Sequence, residues 1–114
     1  MYQEFSKKGF SVVKNRSDML ACDNSKPILG VFYNDGLPYS KDRENSKELT
    51  GSIPNLAEIT IRFIDKMKDK PNIFVLQVKS SKVHYVAHVN DITGLLYDQL
   101  ARDKEVKITI DFAE

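Results

Sequence analysis

The chain has 114 residues, 41% hydrophobic and 29% charged, a composition that fits one globular domain with a single modest core. Seventeen basic and sixteen acidic side chains leave a net charge of +1. The halves balance alike, with eight basic and seven acidic residues in 1–50 and nine of each in 51–114. That balance argues against a nucleic-acid surface, which needs a basic excess on one face. No apolar run approaches the ~18 residues of a membrane span, and Met1–Lys8 lacks the apolar centre of a signal peptide. The lone cysteine, Cys22, excludes an internal disulfide. A cytoplasmic protein without membrane contact is the expectation.

Phe10–Lys14 predicts a short strand, and Ser17 or Asp18 then caps a helical turn reaching Cys22. Pro27–Tyr33 predicts a second strand, stopped by the turn Asn34-Asp35-Gly36. If Leu37–Tyr39 returns beside it, Pro38 confines that return to an edge. Residues 34–52 are polar with mixed charge and read as a mobile loop, with a helical turn or two over Lys41–Leu49. Ile53–Lys68 is the most secure helix. Ser52 is its expected cap, Pro54 fits its first turn, and Ile53, Leu56, Ile59, Phe63, Ile64 and Met67 form one apolar face. Pro71–Val89 contains two alternating runs around Lys79-Ser80-Ser81-Lys82 and reads as a β-hairpin. Asn90 or Asp91 caps a second helix ending near Arg102, within which Gly94 costs up to about 1 kcal/mol against alanine. Glu105–Phe112 alternates cleanly and predicts the last strand.

Residues 28–112 therefore read β-α-β-β-α-β, an α+β ferredoxin-like sandwich, in a single domain spanning 1–114. The 27 N-terminal residues add an extra strand or a cover. Period two assigns the faces of the sheet. Phe74, Leu76, Val78, Val83, Tyr85, Ala87 and Val89 face the helices, with Val106, Ile108, Ile110 and Phe112. Ile73, Val75, Gln77, His84, Val86 and His88 occupy the open face. Three large aliphatics on an uncovered face call for a cover, from the N-terminal residues or from another protein.

His84 and His88 are the only histidines. On a helix they would lie one turn apart and clasp a metal. On the predicted strand their backbones lie about 13 Å apart, too far for one ion. No metal site and no cofactor are therefore expected. Catalysis by His84 or His88, with Asp111, Thr109 or Gln77 across the sheet, is a weaker candidate. Cys22 follows an apolar turn and reads as a structural thiol. No phosphate-binding glycine loop and no G-x-S-x-G elbow occurs. The strand and helix order resembles that of the RNA-recognition-motif family. Its third strand carries Lys/Arg-Gly-Phe/Tyr, whereas Lys82–Val89 lacks the glycine, so the likeness is one of topology.

These readings converge on a small non-enzymatic protein-binding module of the inhibitor, immunity or counter-defence type. Its binding surface would be Ile73, Val75, His84, Val86 and His88, with Lys79 and Lys82 at the rim. A protein partner or a second copy (a homodimer) is the expected occupant. A single-stranded nucleic-acid-binding protein is the alternative, and a small histidine-dependent nuclease or hydrolase the third reading.

Overall fold

In the computed structural model, which describes residues 1–34 and 36–114, the chain is built of helices with one small sheet. Helix α1 (Tyr2–Lys7) leads into strand β1 (Ser11–Val13), helix α2 (Arg16–Ala21) and strand β2 (Ile28–Gly30). The two strands pair in parallel, Ser11 with Ile28 and Val13 with Gly30. Two short helices, α3 (Ser40–Asn45) and α4 (Lys47–Ser52), occupy the polar stretch read as a loop. Then come α5 (Leu56–Met67), α6 (Ser81–His88) and the long α7 (Ile92–Ala113). The turn expected at Asn34-Asp35-Gly36 includes Asp35, which lies outside the described residues.

Local chemistry explains the element starts. Asn15 rather than Ser17 caps α2, accepting from the Asp18 amide at 2.8 Å. Asn55 rather than Ser52 caps α5, and the Glu58 carboxylate returns to the Asn55 amide at 2.9 Å, completing a capping box. Asp91 caps α7 through the Gly94 amide.

The ferredoxin-like sandwich is overturned: no hairpin forms among the described residues, and the predicted strands over Val83–Val89 and Glu105–Phe112 are helical. Strict alternation is a strand signal, but it is overridden here: as helix, Val106, Ile108, Ile110 and Phe112 fall on two faces, and Val106, Ile110 and Phe112 stay exposed. Glu105–Phe112 also carries pairs four residues apart. Thr109 Oγ1 donates to Glu105 Oε1 at 3.0 Å, and Lys107 Nζ meets Asp111 Oδ2 at 2.8 Å. With no glycine or proline after Gly94, nothing stops α7 before the end of the chain.

Among the described residues few large apolar side chains are buried, namely Val13, Met19, Ile53, Ile64 and Val86. Polar ties do much of the fastening. Arg62 donates from Nε to the Met19 carbonyl at 3.0 Å and from Nη2 to the Cys22 carbonyl. Lys66 Nζ reaches the carbonyls of Asn24 and Lys26 at 2.7 and 2.5 Å. The N-terminal residues thus lie along α5. They do not cover Ile73 or Val75, which are 100% and 89% exposed.

Candidate functional site

Helix α6 brings His84 and His88 together. Four residues of helix are one turn, so both imidazoles leave the same face. Their Nε2 atoms are 3.0 Å apart, and the rings cross edge to face with centroids 4.5 Å apart. One ring donates its Nε2 proton to the bare Nε2 of the other. Both rings are exposed. Two nitrogens bound to one tetrahedral ion by bonds of ~2 Å lie roughly 3.3 Å apart. The observed spacing is close to that bite, and the large separation expected of a strand does not apply. Among the described residues no group of three or more His, Cys, Asp or Glu side chains gathers to complete such a site.

On an adjoining face of α6, Ser81, Lys82 and Tyr85 line a cleft of about 890 Å³. Its other walls include Tyr39, Ser40 and Arg43 from the start of α3, and Tyr97, Asp98 and Lys104 from α7. Lys79 and Ser80, just before α6, complete one side. Lys82 Nζ lies 4.5 Å from the Tyr39 ring centre and 5.4 Å from that of Tyr85, so two π-faces hold this cation. Loss of hydration pushes the Tyr39 phenol above its ordinary value of 10.0. The nearby Tyr85 phenol and the Asp98 carboxylate add to the shift by electrostatic repulsion of a phenolate. The phenol stays a neutral hydrogen-bond donor in moderately alkaline solution. Arg43 is committed to structure, donating from Nε and Nη2 to the Ile53 carbonyl at 3.1 and 2.9 Å.

Asp98 anchors one wall. It is buried, and its Oδ1 accepts from the Ser40 amide at 3.0 Å and the Ser40 hydroxyl at 2.5 Å. A carboxylate from α7 thereby caps the first turn of α3, which has no side-chain cap of its own. Asp98 Oδ2 has no hydrogen-bond partner among the described residues. Asp98→Ala removes the cap but also that unmet oxygen, and the two effects partly offset. The expected loss is about 1 kcal/mol, read from urea unfolding. A loss of apparent cleft order without any change in stability would contradict the capping role.

The sequence-predicted surface is dispersed. Ile73 and Val75 stand in solvent, and Lys79 and Lys82 line the cleft. His84 and His88 pair on α6, whereas Val86 is completely buried, not on an open face. Thr109 and Asp111 bond within α7 instead, and Gln77 is exposed. The cleft residues Tyr39, Tyr85, Tyr97 and Asp98 carried no motif, because they converge from three separate elements. Cys22 donates its thiol to the Met19 carbonyl at 3.1 Å, in keeping with a structural role.

A helix-borne imidazole pair beside a cleft with cationic walls is a donor set suited to a divalent ion and an anion. Comparison with known proteins gives the family. A model of the alkaline phosphatase family matches residues 1–114. Alkaline phosphatase 3 of Bacillus subtilis (strain 168) is 35% identical over 114 residues, all of this chain and 23% of that protein. Streptomycin-6-phosphate phosphatase of Streptomyces griseus is 25% identical, covering 98% of this chain and 30% of its own length. The crystal structure of Thermus thermophilus alkaline phosphatase superposes with a TM-score of 0.86 at 28% identity, over 97% of this chain and 23% of that one.

The chain belongs to the alkaline phosphatase family, and it spans about a quarter of the length of the Bacillus and Thermus relatives named here. The match overturns the expected non-enzymatic inhibitor, immunity or counter-defence module, because it places all 114 residues in a family of enzymes. Among the described residues, no helix is long and apolar enough to cross a membrane.

Proposed function

We propose that this chain is a working part of a phosphate-monoester hydrolase, in which His84 and His88 hold a divalent metal ion. The 3.0 Å approach of the two Nε2 atoms carries this reading. Family membership and the names of the relatives, all phosphatases, support it. A metal ion bound there supplies positive charge that polarises a phosphoryl oxygen. Two imidazoles leave other coordination positions to groups outside this chain, in keeping with relatives about four times its length.

The remaining work falls to the chain's own cleft. Lys79 and Lys104 give it a positive field that concentrates an anionic ester. Ser80 and Ser81 offer hydroxyl donors, and the Tyr39 phenol, kept neutral, offers another. Lys82 is steadied by Tyr39 and Tyr85, so its charge is fixed in place before a ligand arrives.

Zinc titration of the full chain, followed by calorimetry, tests the reading. One ion per chain is expected, with affinity falling roughly tenfold or more in both His84→Ala and His88→Ala. Both side chains are exposed, so the variants should fold normally. Zinc affinity indifferent to both substitutions would overturn it. So would hydrolysis of p-nitrophenyl phosphate that is indifferent to His88→Ala, once this chain replaces the matched segment of the Bacillus enzyme.

A further inference from the structure

Asp98 carries an unmatched oxygen at the wall of the cleft. The residue is 3% exposed, and both of its hydrogen bonds, from the Ser40 amide and hydroxyl, fall on Oδ1. Oδ2 is enclosed without a hydrogen-bond partner, and no cation among the described residues stands within ion-pair distance of this carboxylate. Capping α3 asks for one oxygen only, and an asparagine would supply it without burying a charge. A buried carboxylate oxygen left unmet costs free energy, so Oδ2 is an acceptor in want of a donor.

The cations that line the same cleft are placed elsewhere. Lys82 Nζ is held over the rings of Tyr39 and Tyr85, and Arg43 is committed to the Ile53 carbonyl. Lys104 lies six residues beyond Asp98 on α7, about 9 Å along the helix axis. Lys79 stands just before α6. The other carboxylate of the cleft, Glu44, is exposed on α3. Charges of both signs therefore line the cleft without neutralising one another, around a volume of about 890 Å³ that is ample for a small molecule.

This arrangement selects among ligands. A plain anion meets the lysines and leaves Oδ2 unpaired. A plain cation meets Oδ2 and is opposed by the lysines. A ligand that carries both charges, with an N–H donor at its positive end, satisfies both walls.

We infer that the cleft takes the phosphate monoester of a primary amino alcohol, its ammonium donating to Asp98 Oδ2 and its phosphate facing Lys79, Lys82 and Lys104. The phosphate half rests on the phosphatase reading above; the ammonium half follows from the cleft and Asp98 and does not need it. Tyr39 and Tyr97 belong to the ammonium end. Tyr39 precedes Ser40, the residue that Asp98 binds, and Tyr97 precedes Asp98 itself. The faces of such rings favour a cation, and that of Tyr39 already holds a primary ammonium, the one on Lys82.

Calorimetric titration of the full chain with four probes tests the inference: O-phosphoethanolamine, ethyl phosphate, phosphocholine and ethanolamine. O-Phosphoethanolamine should bind roughly tenfold or more tighter than ethyl phosphate, which lacks the amine. Phosphocholine keeps the positive charge but has no N–H, and should lose most of that advantage. Asp98→Asn retains an oxygen for the α3 cap and removes the charge, so it should fold and bring the ratio of the two affinities close to one. Lys82→Met should weaken both esters and leave their ratio unchanged.

Equal affinity for O-phosphoethanolamine and ethyl phosphate would overturn the inference while leaving the phosphatase reading intact. A preference that survives in Asp98→Asn would overturn it as well. Phosphocholine binding as tightly as O-phosphoethanolamine would do the same, whether or not that variant folds. If ethanolamine binds as tightly as its phosphate and ethyl phosphate does not bind, the ammonium site stands and the phosphate half fails. Binding of none of the four overturns both halves.

Discussion

Replacing Glu58 with alanine is expected to lower stability by about 3 kcal/mol. One carboxylate serves three elements there. Its Oε2 accepts from the Asn55 amide at 2.9 Å, closing the capping box of α5, and lies 3.9 Å from Arg43 Nη2 of α3. Its Oε1 meets Arg16 Nη2 at the start of α2. Loss of the cap accounts for about 1 kcal/mol. The rest comes from leaving two guanidinium groups near one another without their shared anion. The Arg16 share is the smaller, because that side chain is 39% exposed and water screens it, whereas Arg43 is 15% exposed. Glu58→Gln keeps an acceptor for the Asn55 amide but removes the charge, so it should fall between wild type and alanine. Urea unfolding followed by circular dichroism measures all three. If Glu58→Ala loses less than about 0.5 kcal/mol, the cluster is a screened surface feature and the fastening of α2, α3 and α5 lies elsewhere.

The helix α5 and the two N-terminal strands were legible because their signals are local and strong. The apolar face of 53–68 repeats over four turns, and Val12-Val13 and Ile28-Leu29 are short apolar runs bounded by polar residues. The cap of α5 was also legible in Asn55-x-x-Glu58, although Ser52 and Pro54 drew attention to an earlier start. The second half departs from its pattern because strict alternation argues a strand, whereas these residues are helical and leave several of the alternating apolar side chains exposed. Val83, Val86 and Ala87 share a helix face as readily as Val83, Tyr85 and Ala87 share a sheet face. The spacing of His84 and His88 stands out in the sequence, but its meaning inverts with the secondary structure. One element assignment changes the separation from that of distant strand positions to 3.0 Å between ring nitrogens.

Of the cleft, only Lys79 and Lys82 were legible, as a basic rim. Tyr39, Lys82, Tyr85 and Asp98 are brought together by the packing of α3, α6 and α7, and sequence separation as large as 58 residues hides the Ser40–Asp98 bond. The uncovered Ile73 and Val75 show a different limit. Their alternation in exposure is that of an extended segment, but no described segment pairs with it, so alternation alone could not place it in a sheet. Borrowing strands from within the sequence, Val83–Val89 and Glu105–Phe112, made the false ferredoxin-like sheet.

Gly94 supplies the sharpest test of the α6–α7 packing. Helix propensity alone predicts that Gly94→Ala stabilises α7 by up to about 1 kcal/mol. The structure predicts the opposite sign. A methyl group at Gly94 would stand 2.8 Å from Val86 Cγ1 and 2.6 Å from Asp91 Oδ2. Neither neighbour yields freely. Val86 is fully buried, and Asp91 holds the N-terminus of α7 by accepting from the Gly94 amide at 3.0 Å. Displacing the cap costs about 1 kcal/mol, and overpacking the valine costs a further 1–3 kcal/mol or so. After the gain in propensity, a net loss of about 2 kcal/mol is expected. The double change Gly94→Ala with Val86→Ala separates the terms: making room at 86 should relieve the clash, so the two losses will be less than additive. Strict additivity in thermal or urea unfolding would mean that α6 does not lie against Gly94. The helical placement of His84 and His88 beside that contact would then fail with it.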